Sequence, residues 1–401
     1  MNKTYAKIFQ GVMKVSMGFL KWQTPRIISG EDVFERLALT IKRGGDKKPL
    51  IVTGPNIYKR GLLDPMLEVL DDKGISYEIF NDISANPTDT EVYAGLKVFQ
   101  NAGCDSLILF GGGSPMDCGK AIGALSVNPG KKVSQLQGLL KVRHKVPTIY
   151  AVPTTSGTGS ETTIAAVITE EATHHKASIN DSVLMPSYAV LAPELTAGLP
   201  PHVTAETGMD ALCHAVESFT NSTYNTKLED EYAIKAVKLI HDNIYEAYSH
   251  GDNLDARSNM QFAAFYAGRS FTRGCVGYVH AIGHTLSGLY GIPHGLAMAV
   301  ILPKVLRKYG SSCQQKLAVL ADACGMRGKS VPSLSDNFIT WIEETNKKMG
   351  IPETFDCIRE EDIPQMIQWA MKEGNPVYPT PQLWDEEDFK ELICTISANM
   401  A

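Results

Sequence analysis

The chain has 401 residues, 44% of them hydrophobic and 20% charged, with a formal net charge of −6, a globular composition with room for two domains and large cores. The acidic balance argues against a nucleic-acid partner, because gripping a phosphate backbone needs a basic face. No apolar run approaches the roughly 20 residues of a membrane span, lysines interrupt every signal-peptide-like core, and the eight cysteines form no C-x-x-C pair, so free thiols in a reducing, cytoplasmic setting are expected.

Residues 1–25 read as an extension. Tyr5, Ile8, Val12, Val15 and Phe19 recur at spacings of 3, 4, 3 and 4, one stripe of a helix, with Lys3, Lys7, Lys14 and Lys21 interspersed. Trp22 to Pro25 should end that helix, since Pro25 disfavours helical geometry at Thr24. Over 26–200, β-type runs at Pro49–Thr53, Tyr77–Phe80, Ser106–Phe110 and Thr148–Val152 alternate with helical segments such as Glu91–Ala102 and Asp117–Ser126. A mixed stretch follows at Thr163–Leu191. Strand–helix alternation predicts a parallel, doubly wound sheet. After Leu199-Pro200-Pro201 the texture turns helical: 202–250, 253–270, 278–290, 296–309 and most of 335–401. The expected second domain is therefore 201–401.

Two loops in the first domain could cradle phosphate. Leu107–Phe110 runs into Gly111-Gly112-Gly113-Ser114, with a helix expected near Asp117; glycines before a helix N-terminus let backbone N–H groups approach an anion closely. This is not the G-x-G-x-x-G fingerprint, and alone it reads equally well as a tight turn. Pro153-Thr154-Thr155-Ser156-Gly157-Thr158-Gly159-Ser160-Glu161 follows the Thr148–Val152 run, and alone it reads as a Ser/Thr-rich surface loop. Together, two such loops past strand ends favour a dinucleotide.

In the helical half, Asp210 and His214 stand four apart, as do His280 and His284, and His294 follows in a Pro-His-Gly turn. On a helix, residues four apart share a face. Three neutral imidazoles and a carboxylate suit Fe2+ or Zn2+. Any one of these histidines alone would be better read as a buried, hydrogen-bonded core residue. His144, His174, His175, His202, His241 and His250 lack such a context and read as surface or loop residues.

Asn86-Pro87-Thr88, GGGSPMDCGK (111–120), PTTSGTGSE (153–161), Leu199-Pro200-Pro201, TGMDALCHAVE (207–217), GYVHAIGH (277–284) and IPHGLA (292–297) resemble, in order, the motifs of the iron-containing (group III) alcohol dehydrogenases. The resemblance spans nearly the whole chain. It implies an α/β N-terminal dinucleotide-binding domain and an all-α C-terminal domain with the metal in the cleft between, in a homodimeric enzyme that interconverts a small alcohol and its aldehyde. It implies Asp210, His214, His280 and His294 as metal ligands and His284 as the proton carrier. Gly112, Gly113, Ser114, Asp117, Thr154, Thr155, Thr158 and Lys176 match cofactor-contacting positions, and Asn86 and Phe271 match positions at the substrate end.

Departures matter. Gly54 replaces an Asp common in NAD-preferring members, which would repel a 2′-phosphate, so NADP(H) is expected beside or ahead of NAD(H). Ala192 also replaces an Asp. Arg273 replaces a common Asn, and is either a contact for an anionic substrate or half of a structural ion pair. Ile164 and Ala165 are apolar and point the other way, to a plain alkyl substrate of the ethanol, propanol, butanol or diol type. The extension is expected to pack on its own subunit or a dimer partner. The alternative is an encapsulation peptide for a bacterial microcompartment, since similar extensions direct some aldehyde-processing enzymes there; a surface-membrane helix would need a strongly basic face. A lyase of the dehydroquinate-synthase kind remains a rival, but its basic phosphate-binding residues are not evident.

Overall fold

The computed structural model describes residues 3–20, 22–172, 176–221 and 223–400, and of Lys3 only the backbone. The chain divides into two compact units, residues 21–196 and residues 1–20 with 197–401.

The first unit is built on β1 (Arg26–Ser29), β2 (Pro49–Val52), β3 (Glu78–Phe80), β4 (Ser106–Gly111), β5 (Gly138–Leu139), β6 (Thr148–Pro153), β7 (Ala165–Thr169), β8 (Lys176–Asn180) and β9 (Tyr188–Leu191). Among the described residues, six strands form a parallel sheet in the order β1-β9-β6-β4-β2-β3, and β5, β8 and β7 form a small separate sheet. The four strongest apolar runs are strands within a residue of the expected bounds. They are legible because every residue of β2 and β4 is buried, as in sheets covered on both faces. β1 was not anticipated, being short and half exposed.

Chain order fixes where a ligand belongs. β2 is followed by β3 on one side and then β4 on the other, so strand order reverses between β2 and β4. Open α/β sheets bind ligands beyond the carboxyl ends of the strands at that switch point. Gly54 stands at the end of β2, and Gly111–Gly112 at the end of β4. The helix after β4 begins at Gly113, with Gly112 as its N-cap, four residues earlier than expected. Pro115 does not delay it, because a first-turn residue has no helical partner for its N–H. Before β4, Asp89–Asn101 is secured by a capping box: Glu91 N donates to Thr88 Oγ1 at 3.3 Å, and Thr88 N donates to Glu91 Oε2 at 2.8 Å.

The second unit is helical. Pro201–Thr220 starts at the second proline of Leu199-Pro200-Pro201, and almost every residue from Thr204 onward is buried, as befits a central helix. Met209, Leu212, Val216, Ile240, Met260 and Ala263 meet in its core. The helix expected over 202–250 is interrupted. It becomes Pro201–Thr220 and Lys227–Ser249, because Asn221 Nδ2 turns to the carbonyls of Gly274, Cys275 and Val276 at 3.0–3.1 Å. The second helix then starts from its own Thr226–Glu229 capping box. Leu254–Gly274, Tyr278–Tyr290, His294–Tyr309, Ile363–Gly374 and Glu386–Thr395 follow.

The N-terminal helix α1 (Lys3–Gly18) stops well short of Pro25, and it seats on this unit by the face opposite its apolar stripe. Ala6 is buried, and Gln10 Nε2 donates to the carbonyls of Pro376 (3.0 Å) and Tyr378 (3.2 Å). Tyr5, Ile8, Val12, Val15 and Phe19 point outward, 56–84% exposed. The extension thus packs on its own unit, one of the two expected placements, through Ala6 and Gln10 and not through the stripe. Among the described residues no helix is long and apolar enough to cross a membrane.

Candidate metal centre and cofactor loops

Three helix segments of the second unit bring Asp210, His214, His280 and His294 together. The first two lie one turn apart on Pro201–Thr220, His280 sits in the first turn of Tyr278–Tyr290, and His294 opens His294–Tyr309 with Pro293 as N-cap. Asp210 Oδ1 lies 3.8 Å from His214 Nδ1, 3.8 Å from His280 Nε2 and 3.3 Å from His294 Nε2. All four donor atoms lie within 4.8 Å of one another. Ligands about 2.1 Å from a shared tetrahedral ion stand roughly 3.4 Å apart, so the spacing is that of a coordination shell.

The side chains also lack another purpose. Asp210 Oδ1, His214 Nδ1 and His280 Nε2 are buried with no hydrogen-bond partner among the described residues, a costly state for polar atoms that a cation would relieve. His294 is partly exposed and forms the open side. Burial alone would raise the Asp210 carboxyl, but His214, His294 and His280 overcome it and hold it well below the usual range. Burial lowers His214 to about 3, and pushes His280 well below its ordinary value, against the pull of Asp210. The charge states are those a dication needs: an ionised carboxylate and neutral imidazoles.

In the first unit the two anticipated loops adjoin, because β4 and β6 are paired with Gly111 opposite Pro153. Thr154 N donates to Gly111 O at 3.1 Å. A Cβ built on Gly112 would lie 3.5 Å from Thr155 Oγ1, and one on Gly113 3.4 Å from Thr158 Cγ2. Ser114 Oγ donates to Ala85 O at 2.6 Å, and Lys176 Nζ donates to Asn86 Oδ1 at 3.1 Å. Burial pushes the Asp117 carboxyl up to about 6, although Lys120 and a 3.2 Å bond from Ser160 Oγ oppose it.

Two family models account for most of the chain: iron-containing alcohol dehydrogenase over residues 24–193, and the Fe-containing alcohol dehydrogenase family, C-terminal, over residues 204–397. The chain belongs to the iron-containing alcohol dehydrogenase family. It is 39% identical to 1,3-propanediol dehydrogenase of Klebsiella pneumoniae over 354 residues, 87% of this chain and 91% of that protein. Its fold matches a crystal structure of 1,3-propanediol oxidoreductase with a TM-score of 0.89 at 35% identity, covering 94% of this chain and 99% of that one. Sulfoacetaldehyde reductase from Bifidobacterium kashiwanohense, solved with NAD+, matches at 0.84 and 26% identity, covering 95% and 99%. Like its relatives, this iron-type alcohol dehydrogenase is an oxidoreductase acting on CH–OH donors.

The remaining anticipated positions of this family member divide. Phe271 stacks flat on His214, ring centroids 4.1 Å apart, so it walls the metal centre. Arg273 Nε donates to Tyr224 O at 3.0 Å and lies 4.0 Å from buried Glu229 Oε2, as the ion-pair alternative has it. His284 stacks beside His294, centroids 5.2 Å apart, and its Nδ1 lies 2.7 Å from Glu373 Oε1. Tyr378 Oη also donates to Glu373 Oε1, at 2.9 Å. His202, His241 and His250 lie away from the centre; His174 and His175 fall outside the described residues.

Sequence reasoning missed Glu373, which lies 89 positions from His284 and reads as a solvated helix residue. It also missed Lys120, whose buried ammonium reaches Ser160 O (2.7 Å) and Oγ (3.2 Å), Thr163 O (3.0 Å) and Oγ1 (2.8 Å), and Ala165 O (3.1 Å). A signal was present: Lys120 sits in Cys118–Leu125, a run otherwise without a polar side chain, on a helix with no outward face there.

Proposed function

We propose that the chain interconverts a short-chain primary alcohol and its aldehyde with NADP(H) or NAD(H), using one Fe2+ held by Asp210, His214, His280 and His294, a donor set Zn2+ also suits. The observation that carries this is the convergence of three orphaned buried donor atoms on one point. A bound dication supplies Lewis acidity at the substrate oxygen, and the nicotinamide supplies or takes the hydride. The protein's own groups do the rest. Backbone N–H groups at Gly112, Gly113 and Ser114 and the hydroxyls of Thr154, Thr155 and Thr158 receive the cofactor's phosphates at the switch point, with Asp117 and Lys176 beside them. Gly54 offers no carboxylate to refuse a 2′-phosphate. His284 carries the proton to solvent on an imidazole oriented by Glu373. Phe271, stacked on His214, lines the metal side of the substrate, and Asn86 is assigned a substrate-end role by the family resemblance.

Ile164 and Ala165 support a plain alkyl chain. The sulfoacetaldehyde reductase relative favours an acid-bearing aldehyde as second reading, but Arg273 is already engaged by Tyr224 and Glu229. Rates of NADPH and NADH oxidation with propionaldehyde and with acid-bearing aldehydes test the assignment: faster turnover of propionaldehyde supports it, and turnover of acid-bearing aldehydes alone overturns it.

The outward stripe of α1 supports a role for residues 1–20 outside catalysis, as an address that brings a cytoplasmic enzyme into a microcompartment. A homodimer rests on the family resemblance. Deleting residues 1–20 should leave turnover and subunit association intact while abolishing co-localisation with a shell; lost turnover or association would assign α1 to the enzyme itself.

A further inference from the structure

Behind His280, on the side away from Asp210, lies a second carboxylate with no place in the ligand set. Glu217 follows Asp210 and His214 at the next turn of Pro201–Thr220, so all three share a face of that helix. It is 3% exposed. Its Oε2 lies 2.5 Å from His280 Nδ1, and its Oε1 accepts from Val279 N–H at 2.7 Å. The space around it is closed: a Cβ on Gly277 would stand 2.7 Å from Glu217 Oε1.

The groups facing this carboxylate ask for acceptors: Val279 N–H and His280 Nδ1, joined by the backbone N–H groups of Gly277 and His280 and by the Cys213 thiol. Val279 N–H is a fixed donor. His280 can offer a lone pair at Nε2, the atom 3.8 Å from Asp210 Oδ1, only when its proton resides on Nδ1. A side chain that answers both must accept through two oxygens. Glutamine of the same length cannot. With its oxygen on Val279 N–H, its amide N–H meets Nδ1, which then accepts and leaves the proton on Nε2, where a cation should bind. Turned the other way, it sets N–H against N–H at Val279.

We propose that Glu217 is a positioning residue of the metal centre, fixing His280 in the tautomer and direction that present Nε2 to the cation. Carboxylate–histidine–metal triads of this kind tune affinity by roughly 10–100-fold. The inference rests on the reading of Asp210, His214, His280 and His294 as ligands, so its test separates the two.

The first measurement needs no metal: 15N resonances of histidine-labelled, metal-stripped wild-type protein at pH 8. Protonated Nδ1 at His280 is expected, and protonated Nε2 overturns the proposal. The second is competition for Zn2+ against a chromophoric chelator. E217Q should bind Zn2+ roughly 10–100-fold more weakly with an unchanged far-UV circular dichroism spectrum, and wild-type affinity overturns the proposal. If E217Q does not fold, G277A takes its place: it keeps the carboxylate but displaces it, should weaken Zn2+ in the same direction, and overturns the proposal by binding normally. Wild-type Zn2+ affinity in D210N would instead sink the ligand assignment while leaving the His280 tautomer standing.

Discussion

Two glycines close to the metal histidines should respond to alanine in opposite directions. A Cβ at Gly295, next to His294, would lie 2.3 Å from Glu206 O and 2.6 Å from Glu206 C. Carbon–oxygen contacts settle near 3.3 Å, so about 1 Å must open between the start of His294–Tyr309 and the backbone of Pro201–Thr220. Overpacking of this kind costs about 1–3 kcal/mol. His294 Nε2, 3.3 Å from Asp210 Oδ1, would then stand roughly 1 Å too far away, against a coordination tolerance of about 0.2 Å. Metal affinity should fall by at least the ~10–100-fold of an outer-sphere lesion. Gly288, on the exposed face of Tyr278–Tyr290, offers the contrast. Its added Cβ meets only Trp369, at 3.9 Å, so Gly288→Ala should stabilise by about 0.5–1 kcal/mol through lost backbone entropy. Thermal unfolding and chelator competition on both variants check this. Wild-type metal affinity in Gly295→Ala would refute the placement of His294 by close helix contact.

Further expectations concern the first unit. Gly54→Asp should fold normally, since its Cβ meets nothing within 4 Å and its φ of −90° suits any residue, yet lose NADPH turnover relative to NADH; retained NADPH turnover would refute the role given to the missing carboxylate. Lys120→Met takes the ammonium from the carbonyls of Ser160, Thr163 and Ala165; Ser160 O keeps Thr163 N–H at 3.3 Å, and each carbonyl left unpaired costs about 1–3 kcal/mol. After relaxation it should cost this unit about 3–5 kcal/mol in urea unfolding and weaken cofactor binding, whereas a loss under about 1 kcal/mol would deny Lys120 its clamping role. Burial pushes Glu161 up to about 7 from 4.5, so between those values the folded state holds more protons than the unfolded one. The group's contribution to stability therefore falls as pH rises through that window, by up to about 3 kcal/mol. Glu161→Gln should flatten the slope, and an unchanged pH profile would count against the burial argument.

What could be read from the sequence follows from how local each signal is. β2 and β4 announce themselves because both faces are buried, leaving unbroken runs such as Leu50–Val52 and Leu107–Phe110. Asp210 and His214 announce themselves because one helical turn converts a spacing of four into a shared face. Glu217, Glu373 and Lys120 carry no such local mark. Each acts on partners that only the fold delivers, and an acidic or basic residue in a helix reads first as solvated. The break at Asn221 escaped for the same reason: its side chain is spent on the carbonyls of residues 274–276. Periodicity found the stripe on α1 but not its direction, because Ala6 and Gln10 on the opposite face seat the helix, one by small size and one by hydrogen bonds.

The most direct test of a single catalytic cation is to strip the protein, titrate Fe2+ back anaerobically, and follow NADPH and NADH oxidation with propionaldehyde against metal bound per chain. Turnover should be absent in the stripped protein, rise in step with Fe2+ and saturate at one ion per chain, with Asp210→Asn neither binding nor turning over. Full turnover by the stripped protein, or by an Asp210→Asn variant without bound ion, would contradict the account at its centre.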